Sequence, residues 1–149
     1  MIKKYIAYLF ATGIGTGYTP IAPGTAGSVL AFLIFWFIPL NSLYWLVLCS
    51  IVIVIGMWAS TAVEKDKGKD PGIVVIDEIA GQWCALLFLP RNFGIYVAAF
   101  FLFRILDIVK PYPAGKLQKL PGGIGIMIDD IVAGIYSNII VHIFVYFWY

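Results

Sequence analysis

Charge is what this chain has least of. Asp, Glu, Lys and Arg make up only 12% of its 149 residues, against 62% hydrophobic residues. That is roughly half the charged share of an ordinary soluble domain. Water is thereby excluded as the solvent for most of the surface, and a small all-α bundle of membrane helices is expected, as one membrane-embedded unit over residues 1–149. A formal net charge of +2 is too small to argue for nucleic acid. Histidine is nearly absent: His142 stands alone, twelve residues beyond Asp130, or about 18 Å along a helix, too far to join a site there. The two cysteines, Cys49 and Cys84, sit in apolar runs and are spaced neither as a metal knuckle nor as a redox pair. They read as small buried hydrophobes. No Ser-His-Asp or Cys-His arrangement can be assembled, and no GxxxxGK[ST] phosphate loop is present.

What is there is a series of apolar runs with clear punctuation. A basic start and a short apolar run, MIKKYIAYLFATG, read as a short helix at the membrane surface rather than a signal peptide. Residues 13–28, GIGTGYTPIAPGTAGS, carry five glycines and two prolines and interrupt regular helix. If Pro23 ends that loop, a helix covers about 24–39. Residues 43–63 form the clearest span. EKDKGKDPG at 64–72 reads as an aqueous loop, and apolar character resumes over 73–89, interrupted at Asp77, Glu78 and Gln82. Further helices are expected over 93–109 and 123–149, separated by the basic loop KPYPAGKLQKLPG at 110–122. The expectation is about five helical segments, four or five of them crossing, with the first either crossing or re-entrant.

Eight lysines lie in the loops on one side of these runs, and Arg91 alone lies on the other. The positive-inside bias makes the lysine side cytoplasmic. Five of the eight acidic residues, Asp77, Glu78, Asp107, Asp129 and Asp130, fall at helix ends that open on that same side. Positions more than fifty residues apart therefore share one depth.

Ionisable groups within apolar helices are costly and usually face a bundle interior or a watery cavity. Oxygen-only ligation favours a hard ion, Mg²⁺ before zinc. Arg104 and Lys110, three residues either side of Asp107, would share a helical face with it. Cations beside an acid cluster suit an anionic substrate. At a membrane interface that points to a phosphate on a lipid, with water attacking phosphorus as the simplest chemistry. The plainer readings are helix capping for Asp129-Asp130, an Arg104–Asp107 salt bridge, and tight turns or close packing for the glycine motifs. Two other functions compete: a small cation transporter or channel subunit using intramembrane carboxylates, and an assembly subunit whose acids meet a partner's cations. Against the transporter, the polar groups stop near one interface.

Four blocks in order, GTGYTPIAPGTAGS at 15–28, DPGIVVIDEIAGQW at 70–83, FRILDIVKPYP at 103–113 and GGIGIMIDDIVAG at 122–134, resemble the phosphatidylglycerophosphatase A family of bacterial membrane lipid phosphatases. The resemblance implies an all-α, multi-pass inner-membrane enzyme. It implies Mg²⁺-dependent hydrolysis of the terminal phosphomonoester of phosphatidylglycerophosphate on the cytoplasmic leaflet. By that match Asp77, Glu78, Asp107, Asp129 and Asp130 take the catalytic and metal roles. Arg104, Lys110, Thr16, Thr25 and Ser28, with Pro23, line the phosphate side.

Overall fold

Proline, glycine and asparagine punctuate the chain, and most of the helices start or stop beside them. The computed structural model describes residues 2–148, so residue 149, the expected end of the last segment, lies outside the described residues. Among the described residues there are seven α-helices: α1 (Ile2–Ala11), α2 (Pro23–Phe37), α3 (Ser42–Lys67), α4 (Ile76–Leu86), α5 (Phe93–Val109), α6 (Ala114–Leu117) and α7 (Gly122–Trp148), with one 3-10 turn at Thr16–Tyr18. Asn41 caps α3 by accepting from the amides of Leu43 and Tyr44, and Asn92 caps α5 by accepting from Ile95. Pro23 stands in the first turn of α2, where its missing N–H costs nothing.

The all-α bundle is as expected, but the count of about five segments with four or five crossings is not. Among the described residues, only α3 and α7, of 26 and 27 residues, are long and apolar enough to cross a bilayer. Helices α2 and α5 have 15 and 17 residues, roughly 22 and 26 Å against a hydrocarbon core of about 30 Å. Helix α4 has 11 residues, ten of them buried. Most of the apolar run at 73–89 is apolar because protein covers it, not because it faces lipid. The ends of α4 also fall short of the run: Val74 and Val75 lie outside the helix, with the Val75 amide donating to Ala11 O at 2.8 Å. The stretch at 64–72 is not wholly loop, since α3 continues to Lys67.

Helix α4 is the axis of the bundle. Trp83 on α4 donates its indole N–H to Ala31 O of α2 at 3.0 Å, fixing those two helices. Where α4 crosses α7, Gly134 lies directly over Gly81, and a Cβ on Gly134 would strike the Gly81 carbonyl. Only glycine permits that approach. It brings the first turn of α4 and the third turn of α7 together. Away from this crossing, Phe35, Trp45 and Trp83 form an aromatic core, with Phe35 stacked on Trp45 at 4.3 Å between centroids and Trp45 edge-on to Trp83 at 5.0 Å.

The lysine-bearing segments do share one end. Lys4 pairs with Asp66 at 2.8 Å, joining α1 to the end of α3. Gln118 donates to Asp70 at 3.3 Å, joining the 110–122 and 64–72 segments. Arg91 lies at the other end, donating to Trp36 O.

Candidate active site

All five predicted acids gather at the lysine end. Asp77 and Glu78 stand in the first turn of α4, where the helix dipole favours negative charge. Asp130 comes from α7, and its carboxylate neighbours those of Asp107, Glu78 and Asp129. Asp77, Glu78, Asp107, Asp129 and Asp130 are all buried or half-buried. Capping does not account for the pair on α7. Asp129 and Asp130 lie about two turns inside that helix, and the amide of Gly123 donates instead to Thr61 Oγ1 at 2.8 Å.

The five divide into two kinds. Asp107 and Asp129 are held by cations: Arg104 Nη1 meets Asp107 Oδ2 at 2.9 Å, and Lys110 pairs with Asp129. Asp77, Glu78 and Asp130 have no such partner, and each offers a ligand oxygen such that all three lie within 4.8 Å of one another. Asp77 Oδ1, Glu78 Oε2 and Asp130 Oδ2 are buried with no hydrogen-bond partner. Five carboxylates against two cations leave an excess of three negative charges. Burial first, then the neighbouring Glu78 and Asp130, pushes the Asp77 carboxyl well above the usual carboxylate range. Such a set needs further positive charge. With oxygen as its only donor type, it fits a hard divalent cation.

The cations flank this trio. Arg104 Nη1 also donates to Ser28 Oγ at 3.2 Å, while Ser28 donates to Gly24 O at 3.0 Å. Arg104 Nε has no partner, so the guanidinium keeps donors for a ligand. Lys110 does not continue the α5 face as helical spacing suggests. It is the C-cap, with φ 49, and the chain turns there so that the ammonium reaches α7. Burial works against its charge, but the hydrogen bond to Asp129 and the fields of the acids outweigh that and hold its pKa above the ordinary lysine value.

The glycine-rich segment contributes unequally. Thr25 stands half-buried in the first turn of α2. Thr16 is in the 3-10 turn, with its hydroxyl on the carbonyls of Thr12 and Gly13 at 3.2 and 3.0 Å, which leaves it bracing that turn. Two residues escape the sequence reading. Gly24 is one: a Cβ there would collide with Glu78 Oε1 and stand 3.4 Å from Arg104 Nη2, so its bareness lets the start of α2 close over the site. Gln82 is the other. It is fully buried, and neither side-chain polar atom has a partner. Its offset of four from Glu78 on α4 is the signal that could have found it.

His142 is where distance along the helix puts it, far from the acids, with its ring nitrogens 2.9 and 3.3 Å from the carbonyl oxygens of Asn138 and Phe88. Cys49 and Cys84 are buried free thiols, and the fold sets their sulfurs within hydrogen-bond distance of each other at 3.5 Å.

A bundle with membrane-length helices whose buried acids and guanidinium meet at one end belongs to the class of membrane phosphohydrolases. The sequence model of one family, Phosphatidylglycerophosphatase A, matches residues 9–145, and the chain belongs to that family. It is a bacterial membrane enzyme, a lipid phosphomonoesterase that hydrolyses a phosphomonoester on a phosphatidylglycerol-related lipid. The chain is 43% identical to a phosphatidylglycerophosphatase A of Escherichia coli, over 95% of this chain and 84% of that one. It is 39% identical to a phosphatidylglycerophosphatase A of Haemophilus influenzae, over 90% and 85%. It is 42% identical to a putative phosphatidylinositol-3-phosphatase of Bacteroides thetaiotaomicron, over 93% and 92%. No solved structure matches.

Proposed function

We infer that the substrate is phosphatidylglycerophosphate, cleaved to phosphatidylglycerol and inorganic phosphate with Mg²⁺ as cofactor, at the cytoplasmic face of the bacterial inner membrane. The observation that carries the reading is the trio of Asp77, Glu78 and Asp130, with ligand oxygens within 4.8 Å of one another and orphaned carboxylate atoms, beside an arginine that retains free donors. The names of two relatives support the lipid. The eight lysines gathered at the site's end support the orientation.

Asp77, Glu78 and Asp130 would hold the ion, and Mg²⁺ bound there would supply charge neutralisation at the phosphoryl oxygens. Arg104 binds the phosphate with the donors that Asp107 and Ser28 leave free. Those two contacts fix its plane. Lys110, kept charged by Asp129, adds a second positive charge, and Thr25 lies on the same side at the start of α2. Water attacks phosphorus, the bond to the glycerol oxygen breaks, and the proton that the water loses is balanced by the one that oxygen takes up, giving inorganic phosphate and the lipid hydroxyl. No acid of the five stands apart as a nucleophile, so a direct displacement is favoured over a phospho-aspartyl intermediate.

The test is release of inorganic phosphate from phosphatidylglycerophosphate in detergent micelles, with Mg²⁺ and with chelator. Mg²⁺-dependent release is expected. Phosphatidylinositol 3-phosphate forms a parallel arm, because a relative bearing that activity in its name aligns over nearly its whole length. Faster release from the inositol lipid would replace the substrate reading while leaving the chemistry in place.

A further inference from the structure

We propose that the cleft between α2 and α5 is the binding site for a fatty acyl chain of the substrate lipid, laid along the bundle with its head-group end at Arg104 and Ser28. This rests on the reading of the site as a lipid phosphatase. The cleft has a volume of about 260 Å³ and is lined by Val29, Phe32 and Leu33 of α2 and by Val97, Phe100 and Phe101 of α5, with no polar side chain in its wall. It is open to the outside: Leu33 is 43% and Phe101 61% exposed. Phe32 packs edge-on against Phe100 at 6.1 Å and Phe93 at 6.0 Å, which gives the cleft a fixed aromatic wall.

Continuity with the site identifies the occupant. Val29 directly follows Ser28, whose hydroxyl accepts from Arg104. Phe100 precedes Arg104 by one helical turn. The cleft therefore ends at the guanidinium assigned to the phosphate, and along α5 it extends about 16 Å from there to Phe93. A head group held at Arg104 has a long apolar tail to place, and this is the apolar channel that starts where the head group is held.

A second apolar groove, between α5 and α7 and lined by Ala98, Leu102, Ile140 and Phe144, is larger than the cleft at about 410 Å³. Its α7 wall begins ten residues beyond Asp130, about 15 Å from the acids along the helix. Leu102 alone of its α5 wall comes near Arg104, the rest being Asn92, Gly94, Ile95 and Ala98 toward the other end, and the groove serves as the control.

The experiment uses the full chain in detergent micelles with Mg²⁺ and two forms of phosphatidylglycerophosphate, one with palmitoyl and one with butyryl chains. Leu33→Trp and Val97→Trp fill the cleft, and Ala98→Trp fills the control groove. Filling the cleft is expected to lower kcat/KM for the palmitoyl substrate roughly tenfold, mostly through KM, and to leave the butyryl substrate within about twofold. Ala98→Trp is expected to change neither. Equal losses on both substrates, or no loss on either, would overturn the assignment. Should the tryptophan variants not fold, the wild-type protein is photolabelled with the same lipid carrying a diazirine at the end of its palmitoyl chain. Labelling of the peptides that contain residues 29–33 and 97–101 is expected, and labelling confined to residues 140–144 overturns the proposal. If the wild-type protein hydrolyses neither substrate, the phosphatase reading falls instead, and the photolabel still reports on the cleft.

Discussion

The two ends of the bundle treat polar groups in opposite ways. At the end away from the lysines, the polar side chains on α7 are matched to carbonyls. Asn138 donates to Ala85 O and Leu87 O at 3.1 and 2.7 Å, and Ser137 donates to Ala99 O at 3.0 Å. Asn138 thus covers the last carbonyls of α4, which no further turn could satisfy. At the lysine end, oxygens of Asp77, Glu78, Asp129 and Asp130, Nε of Arg104 and both polar atoms of Gln82 are buried without a partner. Leaving such groups unmade costs free energy that a purely structural element would avoid. The satisfied end holds the helices together, and the unsatisfied end is where the proposed ion and phosphate would bind. Local rules are broken where a protein works.

The largest break in this comparison comes from the trio. Asp77→Asn and Asp130→Asn each keep the shape and remove charge from a set that already has too much. Turnover is expected to fall at least roughly a hundredfold, the cost of losing a ligand to a hard cation in the transition state. Melting temperature in detergent without Mg²⁺ should hold or rise, and the rise that Mg²⁺ gives the native chain should vanish. Thermal melts with and without Mg²⁺, run beside phosphate release, check both. Near-native turnover in the two variants would remove the trio from the metal site.

Arg104→Ala tests whether a residue at the working end also has a structural duty. A charge-assisted hydrogen bond to phosphate is worth about 1.5–3 kcal/mol, roughly tenfold to a hundredfold in kcat/KM. That loss is expected with Mg²⁺ affinity unchanged or slightly improved, because removing a cation cannot weaken a divalent ion held by carboxylates. If Arg104 serves only to pair Asp107, the variant melts much earlier, and whatever stays folded has native kinetics.

Asn138→Ala makes the opposite cut. It strips the carbonyls of Ala85 and Leu87 of their donor, at an expected cost of about 1–3 kcal/mol in stability. Activity per folded molecule should not change, and equilibrium melting with kinetics on the same preparation reads both. A fall in kcat/KM at full folding would show that the two ends are coupled through α4. The smallest effect is expected for Asn41→Ala, which removes the cap of α3 and should cost about 1 kcal/mol of stability with no kinetic change.

Much of this was legible in the chain. Proline, asparagine and glycine marked where helices begin and end, and the helix over Phe93–Val109 falls where its apolar run does. Spacing put five acids at one depth and the lysines at one end, and four short blocks carried the family. Tertiary structure alone decided the rest. An apolar run reports that its residues avoid water, not whether lipid or protein covers them, and for that reason the sequence predicts a crossing helix where α4 is the buried axis. Which acids converge is also a tertiary matter. Asp77, Glu78 and Asp130 meet because Gly81 and Gly134 let two helices touch, and Asp129 is drawn off by a lysine that leaves its own helix. Sequence spacing sets a residue's height on its helix. The rotation of that helix against its neighbours comes from packing, and the rotation selects which side chains meet.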